Sequence, residues 1–203
     1  MTGYALVNLV NFLNELGEDR TKELLSEFSC PLNPDVEYFL KHKAIEFSRQ
    51  RFAQTHLVYA SYKGRYVLVG YFALANKYLT LTGEALTSRL RSRIKYFATY
   101  DSRIRCYCLS APLIAQLGKN FSNNYNELIT GDELLKLACD KVSRFQMEVG
   151  GCFAYVECED KHKLTDFYSR NGFCQFDKRK LDKDETDKLD GEYLVQMLKY
   201  IHK

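Results

Sequence analysis

Three places in the sequence hold residue types whose chemistry is worth tracing. Phe167-Tyr168 stands shortly before Asn171-Gly172-Phe173. A phenol, with an ordinary pKa of about 10, is protonated at neutral pH and can hand a proton to a leaving group. Phe167 and Phe173 read first as core aromatics, and Tyr168 has the same alternative reading. Glu157-Cys158-Glu159 closes an apolar run. A carboxylate at such a strand end can take a proton directly or through water, Glu157 being the first candidate; a solvated strand-end carboxylate is the other reading. Cys158 and His162 do not form a recognisable nucleophile–base pair. Thr130-Gly131-Asp132-Glu133 opens a helical pattern after a polar loop. Free amides and the helix dipole at such a start attract phosphate, although Asp132 and Glu133 can complement the dipole themselves.

These residues need elements to hold them. The apolar run Leu113 to Leu117 suits a buried strand. Leu134, Leu135, Ala138, Val142, Phe145 and Met147 recur at three- and four-residue steps, which predicts a helix stopped by Gly150-Gly151. Cys152 to Val156 is a second strand-like run, and a short amphipathic helix spans Leu164 to Ser169. Strand, loop, helix, strand, helix is one crossover unit with parallel strands.

Upstream, Tyr4 to Leu16 reads as a helix or as a strand leading into one, followed by a helix from Asp19 to Phe28 with acidic residues in its first turn. Asn33-Pro34 is an N-cap followed by a first-turn proline, and the helix it opens reaches about Arg51. Thr55 to Ala60 and Tyr66 to Leu74 flank Tyr62-Lys63-Gly64-Arg65 as an antiparallel hairpin. Lys77 to Thr82 extends it. Arg89, Arg91, Arg93 and Lys95 alternate in a basic connector from Gly83 to Arg105; two-residue alternation suits an extended segment with one charged face. That face reads as solvated, or as a surface for anionic tRNA or a nucleotide phosphate, with Tyr96, Phe97 and Tyr100 available to stack on bases. A short strand from Cys174 to Phe176, a charged loop from Asp177 to Asp190 and a strand from Tyr193 to Tyr200 close the chain.

The chain has 203 residues with a net charge of +3, which alone does not imply nucleic acid. Its seven cysteines are odd in number and fall mostly in apolar patterns, so they read as buried thiols in a reducing cytoplasm. Cys106-x-Cys108 has no partner pair at zinc spacing, and no metal is expected. No stretch reaches the roughly 20 apolar residues that span a bilayer, so no membrane role is expected.

In order and motif the chain resembles the Gcn5-related N-acetyltransferase (GNAT) family over roughly residues 28–203. Leu68-Val69-Gly70-Tyr71-Phe72-Ala73-Leu74 resembles a family strand, Leu113 to Lys119 its central fourth strand, and Thr130 to Leu135 its pyrophosphate loop and following helix. Asp166 to Phe173 is similar to its "FY-x-x-x-GF" signature. The spacing is closest to bacterial and phage-borne acetyltransferases, toxin–antitoxin toxins among them. The resemblance implies a mixed α/β (α+β) fold: a mostly antiparallel sheet with a central parallel, splayed strand pair, flanked by helices. Residues 1–28 are then a helical extension and 29–203 the acetyltransferase domain.

The resemblance also implies acetyl-CoA as co-substrate and an amine as acceptor. Tyr168 would protonate the CoA thiolate, and Glu157, from its strand-end position rather than from the resemblance, would serve as base. Ile114, Leu117, Lys119, Asn126, Thr130, Gly131, Asp132, Glu133 and Phe167 would contact the cofactor. A homodimer and tRNA are further partners it suggests, with acetylation of aminoacyl-tRNA as one form of the activity. The family's loop pattern, Gln/Arg-x-x-Gly-x-Gly/Ala, is met here by Asn126, Ile129 and Gly131. That departure opens a further reading: a protein of this fold acting as a binding module.

Overall fold

The computed structural model describes residues 3–83, 86–182 and 191–201. The strands are hydrogen-bonded in the order β1-β2-β3-β5-β6-β8-β7, with β4 paired to β5. The chain divides into two units, residues 1–75 with 114–138 and residues 76–113 with 139–203.

In the first unit, β1 (Ala5–Asn8) pairs antiparallel with β2 (Gln54–Tyr62), and β2 with β3 (Arg65–Thr82). The hairpin turns at Lys63-Gly64, both at positive φ. Residues 5–28 do more than extend a domain. After β1 they form α1 (Leu9–Leu16) and α2 (Glu18–Ser26), and they place Leu9, Leu25 and Phe28 in one buried cluster with Leu57 and Tyr71. The physical reason is that alternating residues before Asn8 complete a strand ladder, and the Asn8 side chain then caps α1 by accepting from Val10 N.

Asn33 caps α3 (Pro34–Tyr38) in the same way, accepting from Val36 N at 3.2 Å, with Pro34 in the first turn. The helix continues through a π-helical turn, Phe39–Lys43, into α4 (Ala44–Arg49). Two glycines set how closely helices approach the sheet here. A Cβ on Gly118 would lie 2.3 Å from Val36 Cγ1, and one on Gly70 would lie 2.8 Å from the Gly118 carbonyl oxygen. Neither position accepts a side chain without movement.

In the second unit, α5 (Ser88–Phe97) and β4 (Thr99–Asp101) precede β5 (Cys106–Lys119). The basic connector is therefore helical where an extended segment was expected. Thr87 caps α5 by accepting from Leu90 N, and Leu90 and Ile94 bury one side of it. On a helix, residues two apart lie on opposite faces, so the alternating cations do not form a single stripe. Arg93 lies over the Tyr200 ring at 4.6 Å, and Arg91 Nη2 donates to the Leu86 carbonyl. Arg89 and Lys95 are exposed.

The helix predicted between Gly131 and Gly150 is α6 (Gly131–Val149), ended by Gly150 and Gly151 at positive φ. It leads to β6 (Phe153–Glu159), α7 (His162–Arg170), β7 (Cys174–Lys180) and β8 (Tyr193–Tyr200). β7 runs further than the expected Cys174 to Phe176. Of the charged loop expected after it, residues 183–190 lie outside the described residues. β6 and β7 both pair antiparallel with β8. β5 and β6 pair in parallel, through Leu113↔Tyr155.

Candidate active site

Beyond Leu113, β5 continues through Ile114, Leu117 and Lys119. Ile114 is buried and Leu117 half-buried. At the strand end, Asn120 is buried and fully used. Its backbone N–H donates to Val69 O at 2.9 Å and its Nδ2 to Leu68 O at 2.9 Å, while its Oδ1 accepts from Ser29 N and Ser122 N at 3.0 and 3.1 Å. This clamp ties the strand end to the loop before α3. Asn123 and Asn124 then adopt left-handed backbone angles, which short amide side chains tolerate. A cleft of about 640 Å³ lies beside this turn, lined by residues of α2, the start of β3 and positions 120–125.

The loop into α6 is held by its own side chains. Lys119 Nζ donates to Asn126 O at 3.0 Å, and Tyr4 OH to Leu128 O at 3.1 Å. Thr130 and Glu133 form a reciprocal capping box. Glu133 Oε2 accepts from Thr130 N and Oγ1, both at 2.8 Å, and Glu133 N donates to Thr130 Oγ1 at 3.1 Å. The Thr130 amide and hydroxyl hold the Glu133 carboxyl below its ordinary value. A carboxylate of the chain thus occupies part of the helix mouth where phosphate was expected. Ile129 stands where the family pattern has glycine. It has extended backbone angles and is 2% exposed, so its bulk lies in the core rather than in the mouth. Gly131 and Asp132 follow as the first residues of α6.

In the second unit, α7 presents Tyr168 to the interior. Its ring packs edge-on against Phe167 at 5.0 Å and Phe173 at 5.7 Å, so both predicted aromatics are packing partners of the candidate acid. Asn171 Nδ2 closes the helix end by donating to Phe167 O at 2.9 Å. Burial, followed by the nearby thiols of Cys158 and Cys139, pushes the Tyr168 phenol well above its ordinary value. Such a phenol stays protonated through the neutral range.

Glu157 is placed differently from a free base. Its carboxylate accepts from Arg179 Nη2 at 2.7 Å, from Gln196 Nε2 at 3.2 Å, and from Tyr155 OH. Burial pushes the carboxyl up, but the Arg179 and Tyr155 hydrogen bonds and the Arg179 charge outweigh it and hold the group below its ordinary value. Glu159 pairs with Lys161 at 2.9 Å. Burial, then Asp160 and Glu159, pushes the Cys158 thiol up to about 11, while His162 pairs with Asp166 at 3.1 Å. Those two residues are separate structural groups.

The sequence reading missed Asp35, Gln116, Asn120 and the Tyr155–Arg179–Gln196 surround of Glu157. Asp35 had one visible sign, its place in the first turn after Asn33-Pro34. Among the described residues no cluster of acidic, histidine or cysteine side chains suits a metal ion, and no helix is long and apolar enough to cross a membrane.

No protein-family model matches the chain, and no curated protein does. Solved structures do. AtaT complexed with acetyl-methionyl-tRNAfMet matches with a TM-score of 0.63 and 16% identity, over 96% of this chain and 94% of that one. A tyrosine-to-phenylalanine mutant of KacT matches with a TM-score of 0.61 and 15% identity, over 96% and 94%. AtaTR bound with AcCoA matches with a TM-score of 0.56 and 15% identity, over 97% and 94%. At such identities the likeness is one of fold, and it agrees with the GNAT fold expected from the motifs.

Proposed function

We propose that the chain is an acetyl-CoA-dependent N-acetyltransferase that moves the acetyl group directly to an amine. The observation that carries this reading is the parallel pairing of β5 with β6 at Leu113↔Tyr155. In this reading the β5 backbone from Ile114 onward binds the extended thioester arm as a strand would. Backbone N–H groups in that position also polarise a thioester carbonyl. The AcCoA-bound and tRNA-bound solved structures of the same fold support the reading.

In this reading Tyr168, which its raised pKa keeps protonated through the neutral range, gives its proton to the leaving thiolate. The tyrosine-to-phenylalanine mutants among the solved structures support testing this residue first. Phosphates would meet the first turn of α6 at Gly131 and Asp132, in competition with Glu133. The buried side chain of Ile129 supports a loop that can still receive phosphate. Calorimetric titration with acetyl-CoA is the test. A micromolar Kd is expected, with thiol release when amines are added. Absence of binding at millimolar cofactor would sink the reading and leave the binding-module alternative.

A second, narrower reading makes aminoacyl-tRNA the acceptor. The exposed Arg89, Lys95 and Tyr96 on α5 favour it. Charge reversal at Arg89 and Lys95 should then weaken RNA binding in a salt-dependent way, and equal binding at low and high salt would count against it. Arg91 and Arg93 are poorer probes, because each holds a contact within the protein.

A further inference from the structure

Direct transfer requires a neutral amine at the thioester, and Glu157, held by Arg179, is badly placed to provide one. α3 offers another carboxylate, hydrogen-bonded to β5. The orientation of β5 follows from the two tight glycines. A Cβ on Gly118 would meet Val36 of α3, whereas a Cβ on Gly70 would meet Leu134 of α6 at 3.2 Å. α3 and α6 therefore cover opposite faces of this part of the sheet. Side chains alternate along a strand, so Gln116 shares the α3 face with Gly118. There its Nε2 donates to Asp35 Oδ2 at 3.2 Å.

Asp35 differs from the other carboxylates described above. Glu37 is held by Lys41 at 2.7 Å, Glu157 by Arg179 and Glu159 by Lys161. Glu133 closes its own helix. The hydrogen-bond partner of Asp35 is the neutral Gln116 amide. The carboxylate is half-buried, stands in the first turn of the Asn33-capped helix, and is kept in place because Tyr71 OH donates to Val36 O at 2.6 Å. A half-buried carboxylate held by an amide, without a cation, suits an incoming ammonium ion.

We propose that Asp35 binds the acceptor ammonium and takes its first proton, so that the amine reaches β5 from the α3 side; Gln116 positions it. This rests on the acetyl-transfer reading. The ammonium gives one proton to the Asp35 carboxylate, and from there it passes to solvent. The freed nitrogen lone pair forms the C–N bond as the C–S bond breaks, with its electron pair going to sulfur. The nitrogen's second surplus proton balances the one the thiolate receives. Acetyl-CoA and ammonium become amide, thiol and one released proton.

The test follows thiol release from acetyl-CoA with glycinamide, lysine amide and spermidine as probe amines, with calorimetry for cofactor affinity and thermal melts for folding. Asp35→Asn is expected to lower kcat/KM for amine by about 100-fold, with the Kd for acetyl-CoA unchanged, and Asp35→Glu to restore part of the loss. Wild-type turnover in Asp35→Asn would overturn the assignment, as would a folded Asp35→Glu no better than Asp35→Asn. Wild-type protein that binds acetyl-CoA but acetylates none of the probes would remove Asp35 and leave the cofactor reading standing. Failure of wild-type protein to bind acetyl-CoA would remove both.

Discussion

β5 and β6, paired in parallel at Leu113↔Tyr155, end in contrasting ways. Past Leu113, β5 carries Gln116 and Gly118 and ends at Lys119, whose Nζ donates to Asn126 O, with Asn120 bonded to backbone groups just beyond it. Past Tyr155, β6 is closed by ion pairs, Glu157 with Arg179 and Glu159 with Lys161. The difference teaches where chemistry can enter. An ion pair with three donors around one carboxylate is already satisfied, and a substrate would have to break it. At the β5 end the partners of Lys119 and Asn120 are backbone groups, which a ligand could replace without separating an ion pair. A carboxylate on a strand end is thus a weak indicator of a base until its partners are known.

The contrast can be broken experimentally. The largest effect should come from Tyr168→Phe, which keeps the ring packing and removes the proton. Turnover is expected to fall by about 100-fold or more, with acetyl-CoA affinity unchanged. Unchanged turnover would take Tyr168 out of the mechanism. Because the phenol titrates well above its ordinary value, any loss of rate between pH 7 and about 9 should persist in the phenylalanine variant.

Arg179→Met should cost about 3 kcal/mol of stability, because it leaves Glu157 buried without its cation. Glu157 titrates below its ordinary value of 4.5 when folded. The pair's contribution is therefore complete above pH 4.5 and is lost as pH falls through the folded value. Melts of wild type and Arg179→Met should differ most at neutral pH and converge in acid; a constant gap would contradict the account. If Glu157 were nevertheless the base, the same variant would change turnover far more than stability.

Gly118→Ala should destabilise by about 2 kcal/mol through overpacking against Val36. A melting temperature equal to wild type would mean that α3 moves freely from the strand. The smallest effect belongs to Glu133→Gln. Glutamine can still close the capping box, so stability should change by less than about 1 kcal/mol. Loss of the negative charge should tighten acetyl-CoA binding about threefold. Weaker binding would show that the carboxylate serves the cofactor and does not compete with it.

Much of the fold could be read from periodicity. The α6 helix between Gly131 and the Gly150-Gly151 stop, the hairpin around Lys63-Gly64, the Asn33 cap and the strand Tyr193–Tyr200 all follow from local rules. The basic connector misled because charge alternation was given more weight than Leu90 and Ile94, whose four-residue spacing marks a helix face. Of the site, Tyr168 and the start of α6 were visible as motifs. Asp35 and Gln116 are 81 positions apart, and Tyr155 and Gln196 are 41 apart. No local pattern links residues so far separated in the chain.

By itself the sequence determined the elements and the GNAT-like order, because caps, glycine stops and hydrophobic periods act within a few residues. Only the tertiary structure decided which carboxylates are already paired. Whether Glu157 meets Arg179, or Asp35 meets a neutral amide, depends on strand register and helix docking, and these are set by packing across the whole sheet.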